Sequence, residues 1–221
     1  METNYQHIGL DFKYIEKNKN DKIIDLEMMP FLRVLNYCYK IKTFASCSGH
    51  NHKPSYVIVL LPDKNVSVFE QALKPYGLAK VKSIGFEINE EGIGTDKPDF
   101  MGYEYITKDL MICIKDKKMY SNNASLKKLT QVYVRSRMQN ISLDYELELA
   151  KLSEDYFDKY IKLEGNMQRL LRTREYFLLE HKRNSEEFME MKRNIKILSL
   201  DDFCENTLKI IEDYVRLIKM K

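Results

Sequence analysis

Two β-rich runs, residues 43–46 and 56–61, close on a polar stretch bounded by Gly49 and Pro54. That pattern predicts a loop between two strands. Ser46, Cys47, Ser48, Gly49 and His50 run into the loop together. At a strand end they gather hydroxyls, a thiol, an imidazole and bare backbone N–H groups, and Gly49 permits close approach of a ligand. Just upstream, Leu32, Leu35 and Cys38 recur at helical spacing with Phe31 and Val34 alongside. Pro30 is tolerable only in a first turn, so the spacing predicts a helix that starts close to Met29.

Residues 66–73 read as a short helix ending before Pro75 and Gly77, followed by strands at 79–88 and 103–114. Between those strands, 89–102 reads as a long connection carrying Gly92, Gly94 and the carboxylates Glu90, Glu91, Asp96 and Asp99. Gly92-x-Gly94 lacks the third glycine of a dinucleotide fingerprint, so a surface loop is expected. Beyond Tyr120 the pattern is helical, over 125–139, 143–163, 167–194 and 200–219, with Ser199 and Asp202 marking the start of the last helix as a capping box. The expected class is α+β: an α/β domain over 1–120, then a helical region over 121–221 offering a surface for a homodimer or for RNA.

The charge balance, 36 basic against 33 acidic residues for a net +3, does not announce a nucleic-acid binder by its sum. The distribution says more. Residues 124–142 contain Lys127, Lys128, Arg135 and Arg137 and no carboxylate, a set able to contact phosphate or RNA. The four cysteines form no CxxC pair, which argues against a disulfide framework and fits a reducing compartment. The N-terminus lacks signal-peptide regions and no apolar run approaches a membrane span, so no membrane partner and a cytoplasmic location are expected.

Cys47, His50 and His52 are soft metal ligands, but their spacing crowds three donors together without a fourth, and no metal is expected. Nucleophilic catalysis by Cys47 needs a base, which usually converges from a distant segment rather than from the neighbouring His50. Binding is the simpler use. The Ser46 and Ser48 hydroxyls with the Gly49 amide can hold a phosphate, a carboxylate or a base edge, and Lys53 adds a cation beside them.

The order Asp25-x-x-Met28-x-Pro30-Phe31-Leu32-x-x-Leu35-Asn36, then Thr43-x-x-Ser46-Cys47-Ser48-Gly49, resembles the tRNA wybutosine-synthesising methyltransferase family. That family shows an acidic residue, a Pro-Leu-Leu helix, an Asn and a Thr-Ser-Ser-Cys-Ser-Gly-Arg strand end. The resemblance covers about residues 21–61, and by strand pattern reaches 115. It implies a cytosolic α/β protein that uses S-adenosylmethionine to methylate a ring nitrogen of a tricyclic guanosine derivative in tRNA. It implies a cleft lined by Asn36, Ser46, Cys47, Ser48 and Gly49, with His50 as proton acceptor. His50 stands where the family has Arg, and the chain has no Trp where the family has one. Two further functions suit the same residues: a non-catalytic protein that captures a nucleotide or nucleotide-like signal, and a helical scaffold with a degenerate cleft.

Overall fold

The structure is a computed structural model and describes residues 24–51, 53–76, 79–88, 94–115, 129–163, 186, 190, 193–194 and 196–220. A continuous helical segment, α1, opens it: a 3-10 turn Leu26–Met28, an α turn Met29–Arg33 and a π turn Val34–Cys38. Pro30 lies in the first α turn, where its fixed φ suits the helix and a missing N–H is tolerated. The Asn36 amide donates to the Leu32 carbonyl at 2.9 Å and to the Thr43 hydroxyl at 3.1 Å, tying the helix end to the strand that follows.

Six strands follow: β1 Lys42–Cys47, β2 Tyr56–Pro62, β3 Ala79–Ile88, β4 Gly94–Ile106, β5 Leu110–Lys115 and β6 Leu129–Ser136. They form one sheet in the order β1-β2-β6-β5-β4-β3, every neighbouring pair antiparallel. Helices α2 Val66–Leu73, α3 Leu143–Tyr160 and α4 Leu200–Lys219 complete the described elements.

Alternation in the strands sorts the two faces of the sheet. Val57, Val59 and Leu61 of β2 share a core with Val132 and Val134 of β6, Ile112 and Ile114 of β5, and the buried sides of α1, α2 and α4. Phe203 of α4 meets Phe31 edge-on at 6.0 Å, and Tyr214 meets Phe69 at 5.5 Å. The opposite face receives α3: Ala150 packs with Val81, Ile106 and Met111, flanked by Leu143 and Leu147.

The short helix, strands β1, β2 and β3, and the helices at 143 and 200 fall where the sequence predicts them, and the architecture is an α+β mix. Three expectations are corrected. The described part of the expected helix 125–139 is not helical: Leu129–Ser136 is β6, in the middle of the sheet, and residues 125–128 lie outside the described residues. Leu129 and Val132 fit a three-residue spacing, but Thr130, Val132 and Val134 alternate with Gln131, Tyr133 and Arg135, and sheet pairing selects the second pattern. The sheet therefore continues past residue 120, and α4 packs into the same core as α1 and α2. The run 103–114 is two strands, not one, broken at Thr107, whose hydroxyl accepts from the Leu110 N–H at 2.9 Å and the Asp109 N–H at 3.3 Å. The long connection 89–102 is largely strand, since β4 opens at Gly94; residues 89–93 lie outside the described residues. So does most of the expected helix 167–194.

Candidate functional site

The loop after β1 is held by its own backbone. Gly49 has φ +78°, and a Cβ there would stand 3.0 Å from the Ser55 nitrogen, so both conformation and space demand glycine. His50 follows at φ +50°, a left-handed position that an ordinary side chain adopts only when its surroundings require it. The surroundings do. The Lys53 N–H donates to the Gly49 carbonyl at 2.9 Å, the Ser55 hydroxyl to the Ser48 carbonyl at 2.6 Å, and the Ser136 N–H to the Ser55 carbonyl at 2.9 Å. The loop is thus locked to the end of β6.

Asp25, at the start of α1, reaches into this loop. One carboxylate oxygen accepts from the Ser48 N–H at 2.7 Å, and the other lies 3.6 Å from His50 Nε2. The Asp25 side chain is 7% exposed and that of His50 52%, so a buried carboxylate backs an accessible imidazole. The other ring nitrogen, Nδ1, is 3.5 Å from the Ser48 hydroxyl. Cys47 closes the group, its sulfur accepting from the Gly49 N–H at 3.4 Å. Donor atoms of Asp25, Cys47 and His50 all lie within 4.8 Å of one another. Burial, with the nearby Asp25 carboxylate, pushes the Cys47 thiol up, against the pull of Gly49 and Lys53; this is the opposite of what an activated nucleophile needs.

Cross-strand register extends the site along the sheet. Cys47 pairs with Tyr56, Tyr56 with Arg135, Arg135 with Met111, and Met111 with Ile106. Cross-strand partners share a face. Tyr56 and Tyr133 meet with ring centroids 5.3 Å apart and planes tilted by 43°, and burial pushes the Tyr133 hydroxyl up to about 12. Past them opens a cavity of about 300 Å³ lined by Glu104, Arg135, Met111 and Glu146 among others.

The sequence-predicted residues divide accordingly. Cys47, Gly49, His50 and Lys53 sit at the loop, with His50 and Lys53 exposed. Ser48 is buried and acts on the loop itself, binding Asp25 and bracing His50. Ser46 is fully buried, and its hydroxyl has no hydrogen-bond partner among the described residues. Asn36 spends its amide on the α1–β1 link.

Arg135 borders the cavity. Arg137 does not serve as a phosphate contact: it is 4% exposed, paired with Glu146, and donates to the carbonyls of Lys108 at 2.6 Å and Ile141 at 2.8 Å. Lys127, Lys128 and His52 lie outside the described residues.

In the sequence Asp25 stands out only as a motif position, and Tyr56 and Tyr133 are signalled only by the alternation of β2 and β6. Comparison of the chain with protein-family models, with curated proteins and with solved structures gives no match. No described helix is long and apolar enough to cross a membrane.

Proposed function

We propose that this protein is an S-adenosylmethionine-dependent RNA base methyltransferase of the wybutosine type, acting on a guanosine-derived base of tRNA. One observation carries the reading: Asp25 and the Ser46–His50 strand end, separate parts of the motif that suggested the family, meet in space, with Asp25 bonded to Ser48 and 3.6 Å from His50. Aromatic side chains are the usual platform for an unpaired base, and the Tyr56–Tyr133 pair lies on the same face as Cys47.

The base stacks at Tyr56, between the loop and the cavity. Glu104 and Arg135, which line that cavity, supply charges of both signs and suit the ammonium and carboxylate of a methionine-type group. Cys47 and Arg135 lie two strands apart, about 10 Å, a span within the reach of such a ligand. When bound there, S-adenosylmethionine supplies an electrophilic methyl group. His50 takes the proton that the ring nitrogen releases, and Asp25 fixes the imidazole for it. The tyrosines align the base and exclude water, where most of the rate enhancement for such a displacement arises.

Transfer of labelled methyl from S-adenosylmethionine to tRNA tests this. Wild type is expected to transfer, Tyr56→Ala to lose most of the activity, and His50→Ala to fall by a factor on the order of 10²–10⁴. Absence of transfer to any tRNA, with no stabilisation by S-adenosylmethionine, overturns it. Tight nucleotide binding without transfer would instead indicate capture of a nucleotide-like signal.

A further inference from the structure

The loop cluster has a property that methyl transfer does not call for. Its donors are a thiol, an imidazole nitrogen and a carboxylate oxygen, one from each of Cys47, His50 and Asp25, drawn from two segments and all within 4.8 Å. We propose that these three side chains bind one divalent transition-metal ion of the zinc type, with a fourth position open to solvent.

The spacing fits such an ion. With bonds of about 2.0–2.3 Å, tetrahedral zinc holds its donors roughly 3.3–3.8 Å apart. Asp25 Oδ1 and His50 Nε2, at 3.6 Å, already stand at that separation. The thiol, within 4.8 Å of the other donors, closes by about 1.3 Å at most, within the reach of one side-chain rotation. The donor set also selects the ion: sulfur and imidazole nitrogen favour zinc over magnesium or calcium, which take oxygen ligands.

Outer partners are in place for each ligand. The Ser48 N–H holds the second oxygen of Asp25 at 2.7 Å, the Ser48 hydroxyl lies 3.5 Å from His50 Nδ1, and the Gly49 N–H points at the Cys47 sulfur at 3.4 Å. Partners of this kind orient metal ligands and fix the histidine tautomer. The backbone is left-handed at Gly49 and His50, His50 Nε2 lies 3.6 Å from Asp25 Oδ1, and the exposure of His50 leaves the remaining coordination position open to solvent. Three protein ligands with an open position is the pattern of a catalytic rather than a structural zinc site. Binding releases the Cys47 thiol proton to solvent as the sulfur–metal bond forms.

The inference uses the same residues as the proposed reaction but does not rest on it. Where both hold, His50 would serve as a metal ligand, and the metal would supply the proton acceptor by acidifying a water in its open position. The test titrates Co²⁺ alone into the full-length, reduced, chelator-treated protein, with no methyl donor and no RNA, and follows absorption. Wild type is expected to bind one equivalent, with a thiolate-to-cobalt charge-transfer band in the near ultraviolet that Zn²⁺ abolishes. Cys47→Ser is expected to lose the band while keeping its circular dichroism, and Asp25→Asn and His50→Ala to weaken binding at least tenfold. No band in wild type, or an undiminished band in Cys47→Ser, overturns the site. Metal binding without methyl transfer removes only the proposed reaction, and methyl transfer unaffected by chelation and without the cobalt band removes only the metal.

Discussion

Replacing Arg137 by Met separates a structural arginine from an RNA contact. The guanidinium is 4% exposed; it pairs with Glu146 and donates to the carbonyls of Lys108 and Ile141. Removing it leaves the Glu146 carboxylate buried without its cation, a change that costs roughly 3–5 kcal/mol. For a chain of this size a kilocalorie shifts Tm by about 2–4 °C, so Arg137→Met should melt on the order of 10 °C below wild type.

The pH dependence has a definite sign. Burial pushes the Glu146 carboxyl up from 4.5, and Arg137 opposes that shift. A raised carboxyl favours the folded state in its protonated form. The contribution is therefore full below the ordinary value and lost as pH rises through the folded one. Without Arg137 the folded value climbs further, so the deficit in Tm should shrink in acid and grow toward neutrality. The double variant Arg137→Met with Glu146→Leu should recover most of the loss, because a well-packed apolar pair can match a buried ion pair. Thermal melts across pH read all three. An Arg137→Met protein as stable as wild type, and defective only in RNA binding, would instead make Arg137 a phosphate contact.

Other consequences are more local. Gly49→Ala should cost roughly 1–2 kcal/mol in thermal melts, because φ is +78° and the added Cβ meets the Ser55 nitrogen at 3.0 Å; unchanged stability would contradict the loop geometry. Phe203, fully buried against Phe31, should cost roughly 3–5 kcal/mol on truncation to Ala, and a loss under about 1 kcal/mol would place α4 outside the core. At Glu70, burial is outweighed by hydrogen bonds from Lys80 at 2.8 Å and Tyr105 at 2.6 Å, which hold the carboxyl below 4.5. That stabilisation is present above the unfolded value and is lost as pH falls through the folded one, so Glu70→Gln should flatten the acid limb of the Tm profile.

Much of the fold was legible because local rules and tertiary packing agree. Pro30 announces the start of α1, and Ser199, whose hydroxyl accepts from the Asp202 N–H at 3.1 Å, announces α4. The α4 stripe of Leu200, Phe203, Leu208, Ile211, Val215 and Ile218 turns to the chain's own core. β6 was not legible because eight residues accommodate both a helical and an alternating spacing, and only its pairing with β2 and β5 decides between them.

The site divides in the same way. The loop from Ser46 to His50 stands out by composition alone. Asp25 joins it only through the packing of α1, and Tyr56 meets Tyr133 only through the β2–β6 register. Arg137 reads as surface charge in sequence because burial of a guanidinium depends on Glu146 and on two carbonyls that no local pattern encodes.

The proposed reaction adds a methyl group to a ring nitrogen of a base seated at Tyr56, beside the Asp25–Cys47–His50 loop. Mass spectrometry of nucleosides digested from tRNA incubated with the protein and S-adenosylmethionine measures it directly. The expected result is one added methyl on the base fragment of a guanosine-derived nucleoside, much reduced with Tyr56→Ala. A methyl on the ribose fragment, or no added mass in any nucleoside, would contradict it.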